Sequence, residues 1–293
     1  MTLCSGPVFC PQRRLEWRHP AAGARSSKRQ GGAVRRVAVV GGTGAVGSLV
    51  TRHLLEEGHE VVVLSRSGRR PDSPEGPQYR RADVSTGEGL QEALRGSEAL
   101  IDVTNAKLRA AQQGTFVGGA ARLLEAAAAE GVGRAVLLSI VGIDKSPLAY
   151  YQAKLAQEKA YLGAGLDTCI LRATQFHSFV EALHSSLRRV RLCPYFSGTR
   201  FQTIDPDAVA RRLVELVPAA TTGQAREVAG PEVRTAREYA ADYLRVPGRR
   251  GLALPLPLPG AAGKAFRQGI NIPSDPLVLG STYASWTAAA GRP

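Results

Sequence analysis

Short apolar runs recur along the first 173 residues, bounded by glycine or polar positions, with stretches of helical period between them. The runs are Val37–Val40, His59–Ser65 (HEVVVLS), Glu98–Val103 (EALIDV), Arg134–Ile140 (RAVLLSI) and Asp167–Arg172, joined by the more polar Tyr79–Val84, a short third stretch ending in Asp83. Each reads as a strand. Between them, Val46, Leu49, Val50 and Leu54 share one face of a helix over Ala45–Glu57. Thr86–Arg95 reads as a short helix. Gly114–Glu130 reads as a strong one, with Phe116, Val117, Ala120, Leu123, Leu124, Ala127 and Ala128 in one stripe. A further helix runs from about Leu148 to Leu162, stopped by Gly163 and Gly165. This alternation predicts an α/β fold, a doubly wound parallel sheet of Rossmann-like form with helices on both faces.

From about residue 174 the alternation loosens. Helices are expected over Phe176–Arg189, over 206–217 with Asp205 as N-cap and Pro206 at the first turn, and over Thr235–Val246. The proline-alternating run 253–259 cannot be a central strand, because proline lacks the ladder N–H. The pattern divides the chain into three parts. Residues 1–33 form an aperiodic, disordered N-terminal extension; 34–173 form the sheet core; 174–293 form a smaller C-terminal region packed on it.

Composition changes this picture little. The 293 residues are 44% hydrophobic, enough for a full core, and no apolar run approaches a membrane span. The formal net charge of +13 could suggest nucleic acid. Part of it lies before residue 34, on Arg13, Arg14, Arg18, Arg25, Lys28 and Arg29, and the rest is scattered without a basic-aromatic platform. No nucleic-acid partner and no membrane are expected. The Arg-rich leader reads either as an organellar transit segment or as an upstream extension of the reading frame. Cys4, Cys10, Cys169 and Cys193 make no C-x-x-C pair, which suits reduced thiols in a cytosol-like compartment, and Cys169 reads as a core residue. His177 and His184 are seven apart with no acid at ligand spacing, so no metal is expected and both read as surface or pocket-lining residues.

The candidate chemistry begins at VAVVGGTGAVG, residues 37–47, where four glycines (41, 42, 44 and 47) link the first strand to the first helix. Strand, glycine turn and helix together are the setting of a dinucleotide fingerprint. The glycines allow a sharp turn and close approach of a pyrophosphate, and the helix start presents unpaired N–H groups to it. In a doubly wound sheet ligands sit at the carboxyl ends of the strands. That rim holds Gly42–Gly47, Ser65-Arg66, Asp83-Val84, Thr104-Asn105, Ser139–Gly142 and Ala173–Phe176. The second strand ends in Ser65-Arg66, with Arg69 and Arg70 nearby, where an NAD enzyme usually carries an acid. An Arg fork suits a 2′-phosphate, so NADPH is expected over NADH; the alternative is a solvated basic loop. Tyr150 and Lys154 share a helix face, and Ser139 ends the fifth strand. A nearby ammonium would lower a tyrosine pKa toward working pH and let it pass a proton to a carbonyl oxygen, with Ser139 orienting that carbonyl. Tyr151 lies near the same face, so which tyrosine faces Lys154 stays open.

VAVVGGTGAVG, LLSIVGID, YYQAKLAQE and LRATQFHSF together resemble the NmrA-like, atypical branch of the short-chain dehydrogenase/reductase superfamily, over roughly 34–290. The resemblance implies an NAD(P)-binding Rossmann fold and a cytoplasmic oxidoreductase. By motif position it implies that Gly41, Thr43, Gly44, Ala45, Val46 and Gly47 hold the pyrophosphate. Arg66 takes the 2′-phosphate, and Asp83 and Val84 border the adenine. Lys154 sits at the nicotinamide ribose, with Gln175 and Phe176 near the nicotinamide. The expectation is an NADPH-dependent reductase of a small carbonyl, quinone or enone, a monomer or homodimer. The alternative is a redox-sensing regulator that binds a protein partner. A sugar-nucleotide epimerase is disfavoured by the short C-terminal region.

Overall fold

The computed structural model describes residues 36–68, 76–105 and 113–290. The N-terminal extension and the positions of Arg69 and Arg70 lie outside them. Six strands follow the sequence pattern: β1 (Arg36–Val40), β2 (Glu60–Ser65), β3 (Gln78–Arg81), β4 (Ala99–Asp102), β5 (Arg134–Ile140) and β6 (Asp167–Ala173). Their helices are α1 (Ala45–Glu56), α2 (Leu90–Leu94), α3 (Gly119–Ala129) and α4 (Ala149–Leu162). The C-terminal region adds α5 (His177–Ser185), β7 (Leu192–Phe196), β8 (Arg200–Phe201), α6 (Pro206–Glu215), β9 (Gly223–Gln224), β10 (Val228–Ala229), β11 (Arg234–Thr235), α7 (Ala236–Arg245), β12 (Leu252–Leu256), α8 (Gly260–Arg267), β13 (Leu277–Val278) and α9 (Tyr283–Ala290).

The central sheet has nine strands, in the order β13-β10-β6-β5-β4-β1-β2-β3, with β9 also on β6. Every pairing in it is parallel. β1 lies between β2 and β4, so the strand order reverses there and leaves a crevice at the carboxyl ends. Alternate residues of one strand serve opposite faces. Val37 and Val39 pack with Val50 and Leu54 of α1 and with Leu213 of α6, whereas Ala38 and Val40 pack with Leu94, Leu123 and Tyr161 of α2, α3 and α4. This two-faced burial is why the strands read as continuous apolar runs.

Four local expectations are corrected. Thr86–Arg95 is helical only over α2, because Gly87 and Gly89 take left-handed backbone (φ +88° and +74°) and the Asp83 carboxylate holds Ser85 in a turn. The third strand stops at Arg81, since the Asp83 amide donates to Glu88 O. The stretch Gln113–Gly118 is a π-helical turn ahead of α3, and it leaves Val117 39% exposed instead of in the stripe. The helix after Phe176 ends at Ser185, followed by a 3₁₀ turn over Arg188–Val190.

Asp205 caps α6 by accepting from the Asp207 amide at 2.9 Å, with Pro206 in the first turn. The proline run forms β12, paired with β7 outside the central sheet. β9, β10 and β13 extend the β6 edge of the sheet, so the C-terminal region contributes strands to it. Cys169 is buried in the core, and Cys193 is buried as well. Among the described residues no helix is long and apolar enough to cross a membrane, and no group of three or more His, Cys, Asp or Glu is placed to hold a metal.

Candidate functional site

The glycine turn lies where β1 gives way to α1, beside the end of β4. Gly41 has φ +79°, and a Cβ there would lie 3.2 Å from the Thr104 backbone. At Gly47 a Cβ would lie 2.3 Å from Gly41 O, so only glycine lets the helix approach the turn. The Gly44 amide donates to Gly41 O at 3.0 Å and closes the loop. α1 starts at Gly44 with no side-chain cap and no acid in its first turn. Its leading amides therefore have no side-chain acceptor, and Thr43, Gly44 and Ala45 are exposed, with Val46 half-buried behind them. Such a turn could hold a diphosphate.

β2 and β3 end side by side. Ser65 Oγ accepts from the Gly68 amide at 3.2 Å, and Arg66 is exposed. Asp83 accepts from Ser85 Oγ at 2.6 Å and from the Ser85 amide at 2.8 Å. The Ser85 hydroxyl chiefly holds its carboxyl below the usual range against the effect of burial; the Ser85 amide and the Arg66 charge add to it. Val84 packs, half-buried, on the α2–α3 face. Across the crevice the Thr104 amide donates to Asp102 Oδ1 at 2.8 Å.

α4 carries the tyrosines and the lysine. The Tyr150 hydroxyl donates to Asn105 Oδ1 at 3.1 Å, and its ring meets Phe116 edge-on at 5.7 Å. The Tyr151 ring lies 6.5 Å from that of Phe266. Lys154 is 3% exposed; its Nζ donates to Leu138 O (3.0 Å) and Gln157 Oε1 (2.8 Å). Gln157 Nε2 and the Tyr161 hydroxyl both donate to Asp102 Oδ2, at 2.9 and 2.8 Å. Burial pulls the Lys154 ammonium down to about 8, opposed by Asp102 and Glu158. The expected lowering of the Tyr150 pKa is not found. Burial, then Tyr151, pushes it up to about 12, and the Lys154 ammonium is directed to Leu138 and Gln157. The residues that sequence reasoning missed are Asp102, Gln157 and Tyr161. The available signals were a carboxylate closing an otherwise apolar strand, and the i, i+3, i+7 spacing of Lys154, Gln157 and Tyr161 on one helix face.

At the ends of β5 and β6 several buried polar atoms have no partner among the described residues: Ser139 Oγ, Thr174 Oγ1 and Gln175 Nε2. The backbone of Gln175 and His177 is pinned by Ile204, at 3.0 and 2.9 Å, with Phe176 bridging to the same residue. His177 is buried between Thr203 Oγ1 and Ser281 O, and His184 is buried too, so neither is a surface residue. A buried polar atom without a partner is costly, and a ligand edge seated at this rim could meet all three. The glycine cradle at one end of the crevice and these atoms at the other fit the pyrophosphate and the carboxamide end of a nicotinamide dinucleotide.

Comparison with known proteins agrees. Residues 41–218 match the family described as NAD(P)H-binding. The (4-alkanoyl-5-oxo-2,5-dihydrofuran-3-yl)methyl phosphate reductase of Streptomyces griseus is 28% identical over 217 residues, 73% of this chain and 74% of its own. The NADPH-dependent quinone oxidoreductase of Escherichia coli, solved with NADPH, superposes with a TM-score of 0.70 at 19% identity, covering 87% of this chain and all of that one. The enzyme WbmG of Bordetella bronchiseptica, solved with NAD, gives 0.69 at 17% identity, over 89% and 94%. At these identities the two structures establish the fold alone. With the match over 41–218, the cradle at the β1–β4 crevice and the nine-stranded parallel sheet, this chain belongs to the NAD(P)H-binding family of short-chain dehydrogenase/reductase type.

Proposed function

We propose that this protein is an NADPH-preferring reductase of a small carbonyl, quinone or enone. The observation that carries the reading is the rim of the crevice. An uncapped helix start, an exposed arginine where an NAD enzyme carries an acid, and a tyrosine hydroxyl at the opposite end are held on one sheet edge. When bound, the cofactor would supply a hydride. The chain's own residues do the rest. Gly41, Thr43, Gly44, Ala45, Val46 and Gly47 receive the pyrophosphate. Ser65 and Arg66 receive the 2′-phosphate, and Asp83 and Val84 border the adenine. Thr104 and Asn105 would meet the nicotinamide ribose, Lys154 would reach it with the ammonium N–H that Leu138 O and Gln157 Oε1 leave over, and Gln175 and Phe176 would meet the ring. Tyr150 keeps its proton throughout the neutral range, so it serves as hydrogen-bond and proton donor to the substrate oxygen, taking the place Asn105 now fills. Ser139 Oγ, buried without a partner, orients that oxygen. Residues 174–293 supply the substrate side, where the Phe266 ring lies 6.5 Å from that of Tyr151 on α4. The S. griseus relative reduces an unsaturated lactone by name, and the E. coli neighbour a quinone, which supports this substrate class.

The test is a panel of quinones, enones and small aldehydes added to the purified protein with NADPH, followed at the NADPH absorbance. Catalytic oxidation by at least one class supports the reading. NADPH binding without turnover on any of them contradicts it and favours a nucleotide-sensing role.

A further inference from the structure

A cavity of about 500 Å³ lies at the end of α5 remote from the nucleotide crevice, between the last turn of α5, the start of β7 and the loop after α7. Four arginines line it: Arg188, Arg191, Arg249 and Arg250. Glu181 lines it as well, but its carboxylate is already engaged. Arg249 donates to both of its oxygens, at 2.8 and 3.0 Å, and stacks over the Tyr243 ring at 4.3 Å, while the Tyr283 hydroxyl donates to Glu181 at 3.2 Å. Arg188, Arg191 and Arg250 are exposed, and no carboxylate among the described residues pairs with them. Three uncompensated cations therefore face one cavity.

A solvated basic face on a chain of net charge +13 would explain exposed arginines. It does not explain His184. This side chain is 1% exposed and lines the cavity; Nδ1 lies 3.4 Å from the Tyr283 hydroxyl, and Nε2 has no partner. A buried ring nitrogen left unmatched is costly unless something polar meets it. Burial, aided by the Arg249 charge, pushes the imidazole down to about 4, so the ring is neutral and acts through a hydrogen bond.

We propose that this cavity is a second ligand site, which binds a small organic phosphate. The phosphoryl oxygens lie on Arg188, Arg191 and Arg250, and a polar atom of the organic part meets His184 Nε2 once the buried ring turns toward the cavity it lines. Phosphate is favoured over carboxylate because three guanidinium forks exceed what two carboxylate oxygens accept, whereas a phosphoryl group offers three oxygens and up to two charges. An organic part is required because the volume is that of a small-molecule pocket and far exceeds an inorganic ion. The proposal does not depend on the reaction performed at the nucleotide crevice.

The test is calorimetric titration of the full chain at low salt with phenyl phosphate, benzoate and phenol, together with histidine ring NMR. Phenyl phosphate should bind more tightly than either of the others and move the His184 resonance, which is assigned by its loss in His184→Gln. The double substitution Arg188→Ala/Arg191→Ala removes two exposed side chains. It should weaken phenyl phosphate by about 10- to 100-fold, with melting temperature and NADPH affinity unchanged. Arg66→Ala should leave phenyl phosphate binding intact. Equal affinity for benzoate, or no loss in the double variant, overturns the proposal. So does an equal loss in Arg66→Ala, which would put the phosphate in the nucleotide crevice.

Discussion

Tyr150 and Tyr151 are neighbours in sequence, yet they meet different groups: the Tyr150 hydroxyl donates to Asn105 Oδ1 at the rim of the crevice, whereas the Tyr151 ring lies against that of Phe266. Tyr150 is the better placed to meet a substrate oxygen, since its partner is an exposed side chain. Tyr150→Phe should keep NADPH affinity and lower kcat by about 10²–10⁴, the usual worth of a positioned general acid. Loss on Tyr151→Phe with Tyr150→Phe unaffected would shift the role by one residue. His184 gives a second residue-scale prediction. Its pKa falls from the ordinary 6.5 to about 4, so between those values the unfolded chain binds more protons than the folded one. Stability should therefore be undiminished above pH 6.5 and fall as the pH drops toward 4, by about 2–4 kcal/mol at roughly 1.4 kcal/mol per pKa unit. His177, lowered in the same direction by burial, adds to the slope. The carboxylates held low, Asp83, Asp207 and Glu238, lose their contribution as the pH nears their ordinary values of 3.8 and 4.5, but they do so alike in wild type and in His184→Gln, so the difference between the two curves belongs to His184. Urea unfolding of wild type and His184→Gln across pH 4–7 checks it: the variant's curve should be flatter, and parallel curves would contradict the assignment.

At the scale of elements, the β1 turn and α1 are one device. A methyl at Gly47 would meet Gly41 O at 2.3 Å and Gly42 Cα at 2.5 Å, both backbone atoms that cannot swing aside. Gly47→Ala should lower stability by about 1–3 kcal/mol and the melting temperature by about 2–12 °C, and weaken NADPH as α1 is pushed off the turn. Unchanged melting and affinity would contradict the close approach. This turn was legible in the sequence because glycine spacing is a local signal. So were β1, β2 and β4 to β6, whose apolar runs follow from burial on both faces, whereas β3 (QYRR) is a half-buried strand at the sheet edge. β9, β10 and β13 were not, because two-residue strands have no period; they are held by register, as where Val228 pairs with Ala173 and Leu277 pairs with Val228. Asp102, Gln157 and Tyr161 were equally hidden. Residue 102 meets 157 and 161 only when α4 packs over β4 and β5, a contact no local pattern encodes. The Tyr150 pKa was misjudged for the same reason. Helical spacing places Lys154 near it, but the strand beneath offers Leu138 O, which takes the ammonium.

Across the whole molecule, the switch point at β1 has β2 and β3 on one flank and β5 and β6 on the other, and under the proposed function the adenosine end of the cofactor lies on the first and the nicotinamide end on the second. On that reading, cofactor choice is decided on the first flank. Arg66 is exposed there, and Asp83 is its electrostatic neighbour. A 2′-phosphate would add a charge-assisted bond of about 1.5–3 kcal/mol, whereas NADH offers Arg66 no phosphate. The most direct measurement is a paired fluorescence titration of wild type and Arg66→Ala with NADPH and NADH at low salt. Wild type should bind NADPH more tightly, and Arg66→Ala should lose roughly 10- to 150-fold in NADPH affinity with NADH barely changed. Equal affinity of wild type for the two cofactors, or an equal loss of both in the variant, would contradict it.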